Sequence, residues 1–571
     1  MKTKYFNIGV ILLLVICSFS CEKFLTKENP NALTDDTFWE TEDDFTSGIA
    51  SIYSATLKEA VFNARGWEMM NGRSDEVRSE WPTNTLAAYA CFIADPNLMY
   101  IYMRYSFFYK GIVRANHLMK MLDEKGAFLG EEKINQLKAE AHFLRGFYHF
   151  YLLQDYGYIA YVDEPYYDME SMLKNIRQMP QDSVFPKIIE DFKFAAKYLP
   201  EEWSSQFKGR ATKGSALAFL GLTHLNYMNF QEAADALGEL IGTDPTAPSV
   251  VGGYQLMPEY ADLWSPGNYD NNIESVFEIQ FGFQGGPSLW TYDNPEASLA
   301  NYLAKASVYP EQAWINMILY FHQEEPRDKV NEWAWAEWFR DPYKKYMDHS
   351  SIAVEDVYDP RLTGGVFFKW SEAGKQGLGY GERVFTTGGE GKESWSTNAS
   401  GLRKYADYWL PNQPEQSDKN FPLMRYAEVL LLKAEAENEL GQPIEALKYI
   451  DVVRNRAKLP KIREQHDGAN WTQEMVRHEI ESQRYKELFC EGKRWYDMQR
   501  WGHNPNFVYN VKDTLTAHDW PLFRESKRGL HAYNYVVGRD EYFPLPFKAI
   551  TANSNLKQNY NQEEFLSKKF R

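Results

Sequence analysis

From Arg425 to Lys458 the chain writes two amphipathic helices back to back in 34 residues, and this pattern limits what it can fold into. Ala427, Leu430, Leu431 and Ala434 share one apolar face, Gly441 supplies a left-handed stop, and Pro443 opens a partner helix carrying Ala446, Ile450, Val453 and Ala457. Neither helix can bury its apolar stripe alone, so each needs the other and a further layer. A second hairpin is legible over Thr212 to Ile241. Leu217, Leu220 and Leu225 lie on one helix, a turn falls at Asn229, and Ala233, Leu237 and Leu240 lie on the next. The length of the first hairpin is that of a tetratricopeptide unit. Degenerate repeats of this kind imply a mainly α fold, a short helical array within one large domain.

Helical spacing extends upstream. Thr41 is placed to cap a helix at Asp44 that carries Phe45, Ile49, Ile52 and Tyr53. Ile134, Leu137, Ala141, Leu144 and Tyr148 form one stripe of a long helix. The texture changes over residues 261–420, which hold nine of the 17 tryptophans and ten glycines between 364 and 401. Phe277–Phe281 and Gly365–Phe368 read there as short strands, and the remainder as long loops of the kind that carry binding groups. The expected organisation is a signal at 1–20, a tether at 21–34 and a domain at 35–571. That domain divides into helical parts at 35–260 and 421–571 around a loop-rich insertion at 261–420.

Lys2 and Lys4 precede an apolar run from Ile8 to Ile16, too short to cross a bilayer and followed by Ser20-Cys21. The run reads as an export signal, and Cys21 as the residue acylated in a bacterial lipoprotein, with ordinary cleavage nearby as the alternative. Two or more acyl chains, palmitate among them, would anchor the protein without a spanning helix. A net charge of −17 argues against general nucleic-acid binding. No Cys-x-x-Cys, His-Glu-x-x-His, Gly-x-Ser-x-Gly or phosphate loop is present, and no cofactor or metal is expected. His142 and His149 suit packing better than metal ligation, and Asn268–Asn272 lacks the spacing of a calcium loop.

Several stretches together resemble the SusD/RagB family of outer-membrane nutrient-binding lipoproteins. They are Ala32–Trp39, Gly209–Lys213, Asp359–Leu362, Arg425–Leu430, Val453–Ala457, Glu491–Asp497, Phe543–Pro546 and Gln558-Asn559. The resemblance implies an α-helical domain with four tetratricopeptide-like units, no catalysis, and a glycan or less often a peptide as cargo. It also implies a partner, a TonB-dependent barrel transporter of the SusC type, over which such proteins sit as a lid.

Candidate ligand residues follow from chemistry. Arg73 and Asp75, in the loop Asn71–Glu76, could bridge sugar hydroxyls as donor fork and acceptor, with Trp81 beside them; a surface loop held by local salt bridges is the competing reading. Trp290 and Tyr292 follow Gly285-Gly286, and Trp333 and Trp335 are two apart. These flat rings suit the C–H face of a pyranose, though any single tryptophan is more often core. Glu487 and Glu491 share a helical stripe with Arg484 and Arg494. The set reads either as an acid/base pair or as an ion ladder, which is favoured because paired carboxylates make poor general acids; the aromatics and abundant carboxylates separately suggest a surface glycosidase on an all-α scaffold as an alternative function.

Overall fold

The computed structural model describes residues 34–58, 60–62, 64–76, 85–265, 269–281, 361, 366–367, 401–402, 404, 420–465, 470–507, 509–512 and 535–558. Helix α1 (Glu42–Tyr53) starts where Thr41 accepts the Asp44 N–H at 3.3 Å. Short helices α2 (Ala64–Asn71) and α3 (Thr85–Ala90) lead to the long pair α4 (Met99–Lys125) and α5 (Glu131–Tyr156). Then come α6 (Gln181–Tyr198), α7 (Lys213–Asn226) and α8 (Phe230–Ile241). The C-terminal part contributes α9 (Tyr426–Glu439), α10 (Pro443–Arg456), α11 (Gln473–Glu487), α12 (Arg494–His503) and α13 (Phe547–Ala552).

The elements stack in sequence. α4 packs on α5, α5 on α6, α6 on α7, α7 on α8, α8 on α9, and α9 on both α10 and α11. Both hairpins inferred from spacing are therefore present and belong to one array. Gly441 turns the α9–α10 hairpin at φ 77°, and Met228 turns the α7–α8 hairpin at φ 60° beside Asn229. The stripe on α5 is wider than its periodicity suggested. From Ala139 to Tyr156 every residue but His142 is buried, because α4, α6 and the C-terminal segment cover the helix from several sides.

Most of the described aromatic surplus is spent inside. Phe143, Phe147 and Phe219 surround Phe277 with ring centroids 5.0–6.1 Å apart, mostly edge to face. Such pairs add about 0.5–1.5 kcal/mol each beyond burial. Six of the seven described tryptophans follow suit, Trp39, Trp67, Trp264, Trp471, Trp495 and Trp501 being buried, while Trp203 is half-buried. Gly111 is a point of close approach between α4 and α5, since a Cβ there would stand 2.2 Å from Tyr148 Cε2. Tyr148 cannot swing aside freely, because its hydroxyl donates to Ile52 O at 2.6 Å. Gly111→Ala is expected to cost about 1–3 kcal/mol by overpacking; a urea midpoint unchanged from the parent would contradict this.

Two small antiparallel sheets are formed, of which the first ties the insertion to the helices. β1 (Ser275–Ile279) pairs with β4 (Phe421–Arg425), which runs straight into α9, while β2 (Val366–Phe367) pairs with β3 (Gly401–Leu402). Both strand readings hold. Arg425, expected at the head of a helix, is instead the last residue of a strand. Its side chain is turned into a charge cluster beneath the sheet.

Candidate functional site

Four buried cations and three carboxylates form that cluster. Arg425 donates to Glu491 through Nε at 2.8 Å and to Glu487 through Nη1 at 3.0 Å, and also to Glu274. Arg456 joins Glu274 at 2.9 Å and Glu487, Arg361 reaches Glu487 at 3.4 Å, and Lys404 reaches Glu491 at 2.6 Å. Burial alone would raise the Glu487 carboxyl, but Arg456, Arg425 and Arg361 outweigh it and hold it well below the usual carboxylate range. Glu491 is lowered likewise by Arg425 and Lys404 against burial. Neither is suited to donate a proton, so the arrangement is ionic cross-linking. The continuous stripe is corrected. α11 ends at Glu487, Cys490 and Gly492 turn at φ 59° and 74°, and α12 begins only at Arg494, so Arg484 and Arg494 serve separate partners. Arg484 holds Asp497 and Glu428, and Arg494 holds Asp75 and Glu481.

The same turn clasps the loop after α2. Trp67 Nε1 donates to Cys490 O at 3.0 Å, Asn71 Oδ1 accepts the Gly492 N–H at 2.9 Å, and Glu76 Oε1 accepts the Cys490 N–H at 3.1 Å. Asp75 takes Arg494 in a two-pronged bond, 2.9 Å at each oxygen, with its carboxylate buried. Arg73 lies over the Phe543 ring at 3.7 Å and the Trp495 ring at 4.7 Å, and donates to Asp155 Oδ1 at 3.4 Å and Glu541 O at 3.4 Å. The competing reading, a surface loop held by local salt bridges, is corrected: Asn71, Arg73, Ser74 and Glu76 are buried, and the salt bridges are long-range, Asp75 to Arg494 and Arg73 to Asp155.

Arg73 also lines a cleft of about 720 Å³ between residues 89–96 and 536–544. Tyr89, Phe92, Tyr542 and Phe543 form its inner wall, Ile93 and Val536 stand exposed at its lip, and Asp95, Arg539 and Asp540 supply charge. Arg73 Nε and the Tyr89 hydroxyl are buried without a hydrogen-bond partner. Phe92 adopts φ 54°, a left-handed conformation costly for a bulky residue. It is held there by the Tyr535 ring at 5.1 Å and the Trp495 ring at 5.7 Å. Mixed polar and apolar lining, concavity and local strain are the marks of a ligand site.

Sequence reasoning selected Arg73 but not Phe92, Asp95 or Arg539. The available signal was Phe543–Pro546, singled out only as a family stretch, whose flank forms the opposite wall. Cys21, Trp81, Trp290, Tyr292, Trp333 and Trp335 lie outside the described residues. His142 and His149 are structural. His142 bonds Asp191 at 2.7 Å, while His149 donates from Nδ1 to Arg145 O and accepts the Val162 N–H at Nε2, 3.1 Å. No helix among the described residues is long and apolar enough to cross a membrane, and no group of three or more His, Cys, Asp or Glu among them could hold a metal.

Comparison with known proteins agrees with this architecture. The pattern of the SusD family matches residues 236–561, and that of a family described as starch-binding associating with outer membrane matches residues 23–225. The chain therefore belongs to the SusD family. Two SusD-like proteins of Formosa agariphila are 25% identical over 513 residues (87% of this chain, 90% of the relative) and 26% identical over 435 residues (75% and 74%). Among solved structures, a SusD superfamily protein of Bacteroides vulgatus has a TM-score of 0.66 at 23% identity, covering 92% of this chain and 99% of the other. A laminarin-binding SusD-like protein gives 0.65 at 21% identity, covering 91% and 99%. These likenesses establish the mainly α fold.

Proposed function

We propose that this chain is a lipid-anchored, non-catalytic protein of the outer-membrane surface, which captures an oligosaccharide and passes it to a TonB-dependent barrel transporter of the SusC type. The observation that carries the reading is the Arg73 cleft, built between the two ends of the chain on a SusD-family scaffold. Arg73 underlies the cleft within an aromatic surround, and Asp75 fixes the loop that carries it by holding Arg494. Trp81, Trp290, Tyr292, Trp333 and Trp335 are the proposed stacking platforms. The laminarin-binding SusD-like protein of similar fold supports a glycan as cargo. Lowered, cation-held carboxylates at Glu487 and Glu491 support the absence of hydrolysis.

Stacking one pyranose on an indole hides roughly 50 Å² of apolar surface, worth about 1 kcal/mol. Two or three platforms plus hydrogen bonds, less association costs, place affinity at roughly millimolar to micromolar. That range suits a protein that must release its cargo. The test is retention in polysaccharide-containing gels together with assay for released sugar. Retention without product is expected, and replacing Trp333 and Trp335 together by Ala should weaken it about tenfold or more. Sugar release that disappears with an Asp/Glu pair but survives loss of both indoles would establish a glycosidase instead.

A further inference from the structure

We propose that the cleft admits uncharged oligosaccharides and rejects those bearing uronate or sulfate; this rests on the glycan-binding reading above. Anionic sugars are recognised by a guanidinium or ammonium whose donors are open to a pair of oxygens. Both arginines lining the cleft already face a carboxylate. Arg539 places Nε and Nη2 on the two oxygens of Asp540, each at 2.7 Å. The terminal nitrogens of Arg73 face Asp155 and the Glu541 carbonyl. The two lining donors without a partner, the Nε–H of Arg73 and the hydroxyl of Tyr89, are buried, so neither adds an open donor pair at the cleft surface. An uncharged sugar needs no such pair, whereas a carboxylate or sulfate would be left undercoordinated.

The lip reinforces the discrimination. Asp95 is exposed there, and its carboxylate accepts only from the neutral Asn97, through the backbone N–H at 2.7 Å and Nδ2 at 2.8 Å. Among the described residues lining the cleft, two arginines, each paired with a carboxylate, stand beside an Asp95 that has no cation. An approaching polyanion therefore meets local negative charge, set in a chain whose net charge is −17. At physiological ionic strength the whole-chain field is screened within about 8 Å, which leaves the lip residues to make the distinction.

The experiment is affinity electrophoresis of the purified protein against amylopectin, laminarin, xyloglucan and galactomannan on one side, and polygalacturonate, alginate and carrageenan on the other. Retention on at least one neutral polymer is expected, unchanged between 50 and 500 mM NaCl, with every polyanion at least tenfold weaker. Retention on a polyanion that collapses with salt would overturn the charge filter while leaving glycan binding intact. Retention on neither class would overturn the binding reading itself. Asp95→Asn and, separately, Asp540→Asn, which releases the Arg539 fork, should each raise retention on polygalacturonate about threefold, the effect of one unit charge near 6 Å in water. If neither variant gains, the filter does not reside in this cleft.

Discussion

Glu487→Ala is expected to destabilise the protein by about 3–5 kcal/mol, the cost of leaving buried cations without their counter-charge. Its carboxylate serves Arg425, Arg456 and Arg361 at once, with none of the four side chains more than 3% exposed. Removing it leaves four cations facing Glu274 and Glu491 alone, with no route to water. The carbonyl of the same residue accepts from Arg425 Nη2 at 3.0 Å, Lys404 Nζ at 3.2 Å and the Tyr260 hydroxyl at 3.0 Å, and these bonds survive the substitution. The loss is thus a side-chain loss. Equilibrium unfolding in urea measures it, and Glu487→Gln, which keeps the shape and one acceptor, should fall between the parent and the Ala variant. A loss below about 1 kcal/mol would mean that the cluster is solvated or redundant.

Glu274, Arg361 and Lys404 all come from the stretch that reads as insertion, and all converge on the junction of α11 and α12. Glu487→Ala should therefore loosen the attachment of the insertion as well as the helical array. Greater susceptibility to proteolysis within residues 282–419, appearing before global unfolding, is the expected accompaniment.

How much of this was legible in sequence depended on whether a signal was local. The hairpins around Gly441 and Asn229, the Thr41 cap and the strands near Phe277 and Val366 were readable because periodicity and turn chemistry act over a few residues. The pairing of β1 with β4 was not, since it joins Ser275 to Arg425 across 150 positions and neither strand has a partner nearby in the chain. The same limit governed the site. Arg73 and Asp75 were chosen for their chemistry, but their partners Phe543, Trp495 and Arg494 lie more than 400 residues away. No spacing rule connects them. The Arg484–Arg494 stripe failed for a different reason. Periodicity cannot register a break when the residues that make it, Cys490 and Gly492, keep their neighbours at helical intervals by coincidence.

The second large effect is a dependence on pH, carried by buried groups with opposite signs: Glu76 and His149, seconded by Glu140, raised to about 7 by burial, and His224, lowered to about 4 by burial. Burial, assisted by the neighbouring Asp75, pushes the Glu76 carboxyl up to about 8, while burial pulls the His149 imidazole down to about 3. Glu76 keeps its proton in the fold where the unfolded chain, titrating near 4.5, has lost it. Its contribution is complete below about 4.5 and is lost as pH rises toward 8. His149 is neutral in the fold where the unfolded chain, titrating near 6.5, is charged. Its contribution is complete above about 6.5 and is lost as pH falls toward 3. Between 4.5 and 6.5 the two slopes oppose and nearly cancel. Stability should form a plateau there, with an acid limb from His149, steepened by Asp191, which Arg145 holds low against burial, and an alkaline limb from Glu76. Glu76→Gln isolates the Glu76 share of the alkaline limb, since an amide keeps the acceptor for the Cys490 N–H and carries no charge at any pH. Relative to the parent, this variant should gain on the order of 3–4 kcal/mol between pH 5 and pH 8, at about 1.4 kcal/mol per unit of pH. Urea midpoints taken across that range read the difference directly. Parallel curves for parent and variant would show that Glu76 is already ionised in the fold, and the alkaline limb would then have to arise elsewhere.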